Sequence, residues 1–140
     1  IGDNKKREMV YNEFNKIVSF PNLISINSYI SKFTQLGEGN FFNHFSFVGP
    51  NVKMGNNNII NTYSIIEHDV KVGSNNHICP GVKIGGNAKI GNNVFIGLGS
   101  TIIHKIKICS DVTIGAGSVV INDISEPGTY IIKKNKIEKI

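Results

Sequence analysis

From Ile24 onward, every sixth residue of the chain is apolar. The series runs Ile24, Ile30, Leu36, Phe42, Val48, Met54, Ile60, Ile66, Val72, Ile78, Ile84, Ile90, Ile96, Ile102, Ile108, Ile114 and Val120, without a slip in register. A helix repeats its apolar face every 3.6 residues and a half-buried strand every two, so neither alone gives a strict period of six. A short strand followed by a tight turn does. The aliphatic residue then faces inward, together with the small or β-branched residue two positions earlier, for example Ser46, Val52, Ser64, Val70, Val82, Ala88, Val94, Ser100, Val112 and Ser118. Glycine follows the aliphatic residue eight times, at 37, 49, 55, 73, 85, 91, 97 and 115. With asparagine, it is expected to serve turns in which a positive φ is cheap. Three such units close a triangular coil of eighteen residues, and coils stack at the strand spacing of about 4.8 Å. Seventeen units make between five and six coils.

The two ends break the rhythm. Residues 3–18, DNKKREMVYNEFNKIV, read as a short helix capped by Asp3 or Asn4, with Val10, Phe14, Ile17 and Val18 as its apolar stripe. After Val120 the segment NDISEPGTYIIKKNKIEKI turns at Pro127-Gly128 and ends in a strand-like, lysine-rich tail. A solenoid needs its open ends covered, and these two segments are the candidate caps. The expected organisation is an N-terminal helix over 1–22, a β-helix over 23–125 and a capping tail over 126–140.

A chain of 140 residues is long enough for one domain with a real core. No apolar run approaches the eighteen or so residues of a membrane span, and no signal-peptide pattern opens the chain, so a cytoplasmic protein without membrane contact is expected. Cys79 and Cys109 show neither zinc-type spacing nor a disulfide framework. The net charge of +5 gathers at Lys5, Lys6 and Arg7 and again at Lys133, Lys134, Lys136 and Lys139. These read as solvated ends; attraction to the phosphates of a small ligand is the sharper reading. Nucleic acid is not expected as a partner, because the basic residues are not interleaved with aromatics on one element.

An unbroken register gives every residue an address on the triangle. With the corners called A, B and C in chain order from Ile24, His68 sits in a turn at corner B, within the triplet Glu67-His68-Asp69. Gly86 lies one coil above it and His104 two. His77 points out from the side between corners C and A, with Phe95 stacked above and Ile59 below. Nine residues are half of a coil, so His68 and His77 stand on opposite sides of one prism. They can share a site only between chains, if prisms pack around a threefold axis. Histidine exchanges protons near neutrality, and a carboxylate on one ring nitrogen fixes the tautomer and leaves the other free to accept a proton from a substrate. Glu67 and Asp69 both flank His68; Asp69, further into the turn, is favoured. Gly86 leaves the space over His68 unfilled, and its N–H is placed to donate to a developing oxyanion.

The period of six is the hexapeptide-repeat pattern of the left-handed parallel β-helix, and the chain resembles the hexapeptide acyltransferases over about 100 of its residues. The run INTYSIIEHDVKVGSNNHICPGVKIGGNAKIG is similar to the core of bacterial sugar acetyltransferases of the sialic-acid O-acetyltransferase and nucleotide-sugar N-acetyltransferase type. The resemblance implies acetyl-CoA as donor, an amine or hydroxyl of a nucleotide-linked sugar as acceptor, and a homotrimer. It implies His68 as general base with Asp69 as its acidic neighbour, Asn61 in the substrate site, and His77 at the thioester. Gly86 would donate to the thioester carbonyl, with Leu98 and Ala116 along the pantetheine arm. Family members open with a Rossmann-like half domain, and IGDNKKREMVYNEF resembles only the second part of it. They also tend to end in a Gly-x-Pro-Ala-Lys-like segment, where this chain has TYIIKKNKIEKI.

Two other readings fit the same prism. His68 and His104, two coils apart on one column, are spaced for a zinc site of the γ-carbonic-anhydrase type, with Cys109 where a third histidine is usual. A non-catalytic trimeric scaffold fits the repeat equally, and it has no affinity for acetyl-CoA.

Overall fold

The computed structural model describes residues 1–133 and 136–139. A helix, α1 (Asn4–Phe14), precedes seventeen short strands, β1 (Leu23–Ile24) to β17 (Val119–Val120). From β1 to β14 each strand pairs in parallel with the strand eighteen residues further on, as in Ile24↔Phe42, Ile60↔Ile78 and Ile84↔Ile102. Three sheets of eight, six and five strands result, one per side of the prism. This is the expected left-handed parallel β-helix. The aliphatic positions line its axis: Phe42, Val48, Ile60, Ile66, Ile78, Ile84 and Ile96 are wholly inaccessible to solvent. The inward small residues expected two positions earlier are all buried as well.

Three asparagines share that inward position at corner C. Asn40, Asn58 and Asn76 are fully buried and form a ladder. Asn40 Oδ1 accepts from the Asn58 N–H at 2.9 Å, Asn58 Oδ1 from the Asn76 N–H at 2.9 Å, and Asn76 Oδ1 from the Val94 N–H at 2.7 Å. Each rung thus receives the backbone hydrogen of the coil above, which a buried N–H requires.

The turn chemistry differs from the expectation. The glycines that directly follow the aliphatic residues do not carry the positive φ. That conformation falls two residues later, at Asn51, Asn57, Asp69, Asn75, Asn87, Asn93 and their equivalents. Gly85 illustrates what the earlier position demands: a β-carbon there would lie 2.6 Å from the backbone nitrogen of His104 in the next coil. Those glycines permit close stacking of coils rather than left-handed turns.

Asp3 caps α1, its carboxylate accepting from the Lys6 N–H at 2.9 Å. The expected apolar stripe does not pack: Val10, Phe14, Ile17 and Val18 are exposed, whereas Arg7 and Tyr11 are buried. Arg7, expected in a solvated basic end, is instead the anchor. Its guanidinium donates to the carbonyls of Asn57, Asn75 and Asn76 at 3.0 to 3.1 Å. It thereby reads three carbonyls at corner C, one of which, that of Asn76, also accepts from the Ile59 N–H, and burial lowers its pKa from the ordinary value. Tyr11 donates to Glu38 at 2.6 Å, and its pKa is pushed up to about 12 by burial and that bond. The helix therefore lies along corner C and does not cover the first coil, where Ile24 remains 52% exposed.

At the other end, β18 (Gly128–Lys133) adds a parallel strand to the first sheet, and β19 (Lys136–Lys139) folds back on it antiparallel. Residues 134, 135 and 140 of the expected tail, including Lys134, lie outside the described residues.

The outward residues of the three sides differ in chemistry. The first sheet presents Phe41, Ile59, His77 and Phe95, and the second Tyr29, Phe47, Ile65, Lys83, Thr101 and Val119. The third presents a single column, Gln35, Lys53, Lys71, Lys89 and Lys107. None of these four lysines forms an ion pair among the described residues.

Candidate active site

Corner B brings the triplet and its glycine together. His68 and Asp69 lie in the turn between β8 (Ile65–Ile66) and β9 (Lys71–Val72). Asp69 takes the left-handed conformation, φ 60°, which a short polar side chain tolerates. Its Oδ2 stands 2.8 Å from His68 Nδ1 and, as a carboxylate, can only accept there, so Nδ1 carries the hydrogen. The bond from His68, with a second from Asn51 Nδ2 at 3.2 Å, holds the Asp69 carboxyl below its usual range. His68 Nε2 is left free on an exposed ring. Glu67, the other candidate neighbour, has no such contact to His68; of the two carboxylates flanking the ring, Asp69 is the one bonded to it.

Gly86 closes this arrangement from above. A β-carbon built on it would fall 2.7 Å from His68 Nε2 and 2.8 Å from Cε1. No residue with a side chain fits there without moving the imidazole. Gly86 is buried, yet its N–H donates to no group among the described residues. Buried, unpaired backbone N–H groups are rare, and the residue that carries this one lies against Nε2 of His68.

His77 lies elsewhere, in β10 (His77–Ile78) of the first sheet, with Ile59 and Phe95 as its neighbours in register. The Phe95 ring meets it edge-on at 5.2 Å. Gly2 crosses over it and accepts from Nδ1 at 3.0 Å, and Asn61 Nδ2 stands 3.3 Å from Nε2. Burial is the main reason its pKa is lowered, so the ring is held neutral. His68 and His77 have no hydrogen-bond partner in common. The contact with Asn61 joins two of the sequence-identified residues; Leu98 and Ala116 sit exposed at corner A, in turns two and three coils above that of Asn61.

Sequence reasoning missed Asn43 and Asn51. Asn43 Nδ2 donates to Asn61 Oδ1 at 3.0 Å, and Asn51 to Asp69. Each stands eighteen residues before its partner, so the coil period itself was the signal that could have found them. Among the described residues, no three of His, Cys, Asp or Glu gather as a metal site. No helix is long and apolar enough to cross a membrane. Cys79 is buried, which pushes its thiol up to about 11.

Comparisons with known proteins point in one direction. The chain is similar to a histidine-to-alanine variant of GDP-perosamine N-acetyl transferase from Caulobacter crescentus, solved with CoA and GDP-perosamine. The TM-score is 0.95 at 28% identity, over 100% of this chain and 67% of that one. PerB from the same organism, also with CoA and GDP-perosamine, gives 0.94 at 29%, over 99% and 67%. The acetyltransferase domain of PglB from Neisseria gonorrhoeae, in complex with acetyl coenzyme A, gives 0.91 at 27%, over 100% and 68%. The chain thus spans about two thirds of the length of these neighbours. None of the curated proteins compared with it matches. The family model of the bacterial transferase hexapeptide (six repeats) matches twice, over residues 51–86 and 87–122, which is just over half of the chain. With its coils, its corner turns and its glycine-roofed histidine, this chain belongs to the bacterial transferase hexapeptide family.

Proposed function

We propose that the chain transfers an acetyl group from acetyl-CoA to the amine of a nucleotide-linked bacterial sugar, with His68 as general base. One observation carries the reading: His68 Nε2 is free because Asp69 occupies Nδ1, and it faces a glycine whose own N–H is unpaired. A base and an oxyanion donor on adjacent coils, about 4.8 Å apart, suit attack on a thioester. His68 Nε2 takes the proton as the acceptor nitrogen bonds to the thioester carbon. The Gly86 N–H donates to the carbonyl oxygen as it becomes anionic. When the tetrahedral centre collapses, the carbon–sulfur bond breaks, and the thiolate leaves and takes up the proton. The similar structures that hold CoA and GDP-perosamine support both the donor and the acceptor class.

The site is shared between subunits of a homotrimer. The outward columns of the first two sides are mostly apolar, with one lysine, Lys83, on the second, whereas the third carries four lysines, which suits burying the first two against neighbours. Corner B of one chain then faces the first sheet of the next and brings His77 and Asn61 to the thioester end. Leu98 and Ala116 flank the pantetheine arm. Residues 1–22 are read as the end of a Rossmann-like half domain, and the setting as the cytoplasm. A hydroxyl acceptor is the alternative that the same base would serve.

Replacing His68 with Ala is expected to lower turnover by about 10²–10⁴, the usual share of a general base. Near-normal thiol release from acetyl-CoA by that variant would end the assignment. Mixing His68→Ala with His77→Ala chains tests the shared site, because only mixed trimers can rebuild an intact one. Absence of recovered activity would argue against it.

A further inference from the structure

Left-handed residues one coil apart can meet through their side chains. At corner C, Asn57 (φ 58°) and Asn75 (φ 63°) do so, Asn57 Nδ2 donating to Asn75 Oδ1 at 2.7 Å. Corner B repeats the arrangement with one change. Asn51 (φ 59°) lies one coil below Asp69 (φ 60°), and Asn51 Nδ2 donates to Asp69 Oδ1 at 3.2 Å. The acceptor is now a carboxylate, and its other oxygen, Oδ2, accepts from His68 Nδ1. Each oxygen thus has its own side-chain donor. Asn87, the equivalent residue one coil above, bonds neither oxygen, so among the described residues the carboxylate is held from below.

An aspartate carboxylate turns about a broad, nearly twofold torsion, and one bond does not fix its plane. Asp69 needs the second bond, because its side chain is 43% exposed and water competes for both oxygens. The donor stands on a firm support. The Asp69 N–H donates to the Pro50 carbonyl at 3.0 Å, and a β-carbon at Gly49 would lie 2.9 Å from the His68 nitrogen. The turn of Asn51 is therefore stacked closely beneath the turn it serves. Hydrogen bonds to an ionised acceptor are stronger than those between neutral groups, and the two bonds share one carboxylate.

We propose that Asn51 is a positioning residue for the general base: by holding Asp69 Oδ1 it turns Oδ2 onto His68 Nδ1, and so keeps Nε2 bare and facing Gly86. This rests on the acetyl-transfer reading above. Asn51 makes no bond to His68 itself and acts through Asp69. Without its amide the carboxylate swings toward water, and Nδ1 loses its partner for part of the time. The ring hydrogen is then free to move to Nε2, and a neutral ring that carries its hydrogen there cannot take a proton from the acceptor. Turn geometry alone does not call for this amide, since glycine, asparagine and aspartate all adopt the left-handed conformation. Aspartate at 51 keeps the shape and the turn but presents a second acceptor to Asp69.

Two variants separate the donor from the turn. Asn51→Gly removes the amide and should hold or raise the melting temperature, as glycine is at ease at that φ. Asn51→Asp keeps the side-chain shape and loses only the donor. Both are expected to lower kcat about tenfold, with KM for acetyl-CoA within twofold of the parent. The loss is smaller than the roughly 10²-fold of a 1 Å displacement, because the bond between Asp69 and His68 can still form. Ring nitrogen NMR of ¹⁵N-labelled protein, at a pH where free imidazole is neutral, should show His68 as the Nδ1–H tautomer in the parent and as a mixture in both variants. A kcat within twofold of the parent in either variant, a loss carried by KM instead, or an unchanged tautomer in both would overturn the positioning role. His68→Ala in the same assay judges the underlying reading separately. Normal turnover there removes His68 as base, whereas an inactive His68→Ala beside fully active Asn51 variants removes only the role of Asn51.

Discussion

Gly85 and Gly86 are adjacent, and alanine at each should do opposite things. At Gly86 the new β-carbon meets only the His68 ring, at 2.7 Å from Nε2, and no backbone atom stands among its three nearest neighbours. Ordinary contact begins at 3.4 Å, so the imidazole must retreat by about 0.7 Å or swing away. Gly86 is not among the glycines of positive φ, so its backbone accepts alanine without strain. Displacement of a catalytic group by about 1 Å costs on the order of 10²-fold, or roughly 2.7 kcal/mol of transition-state stabilisation. Gly86→Ala should therefore lose about two orders of magnitude in kcat while melting within about 2 °C of the parent, since a flexible exposed side chain absorbs the clash. At Gly85 the β-carbon would strike backbone: 2.6 Å from the His104 nitrogen and 3.0 Å from the Ile103 carbonyl carbon. Gly85→Ala has to push two coils apart, and its main effect should be a fall in melting temperature. Thiol release from acetyl-CoA and thermal unfolding, run on both variants, separate the two. Gly86→Ala active within twofold of the parent, or as unstable as Gly85→Ala, would refute the placement of His68 beneath that glycine.

Three further outcomes follow from the packing. Asn58→Ala removes a rung that serves the Asn76 N–H, Asn40 Oδ1 and the Gly73 carbonyl, and should cost about 3 kcal/mol, lowering the midpoint by roughly 10 °C in thermal unfolding. Arg7→Ala releases α1 from corner C, so limited proteolysis should cut within residues 1–20 while the β-helix melts nearly as before. His77 is held neutral with a lowered pKa, so below the ordinary histidine range the unfolded chain binds a proton that the folded chain does not. Stability then falls as pH drops through that window, and His77→Gln should flatten the decline between pH 7 and 5 measured by thermal melts.

Much of this molecule is legible in one period. Because the apolar series never slips, the pairing of Ile60 with Ile78, the position of Gly86 over His68 and the neighbours of His77 all follow from counting by eighteen. The same count also contained the asparagine ladder and the bond from Asn51 to Asp69, since both join residues one coil apart. What the period could not hold is the docking of α1. Its apolar residues face solvent, and its attachment runs through one buried guanidinium reading backbone carbonyls, a contact with no periodic signature. Gly2 over His77 is hidden for the same reason, as its partner lies seventy-five residues away. The role of the stacking glycines was misassigned because glycine serves both positive φ and close approach, and composition does not tell the two apart.

The lysine column of the third sheet bears on how far an assembly can grow. A prism with three adhesive sides could tile outward without limit, each new copy offering fresh surface to the next. Here the side carrying Lys53, Lys71, Lys89 and Lys107 repels its own kind in every register, since like charges meet like charges whichever coil is set against which. In the proposed trimer adhesion is confined to the two sides that meet at corner A, and copies joined through those sides would close on themselves instead of extending as a lattice. The lysine column would then set the boundary of the particle.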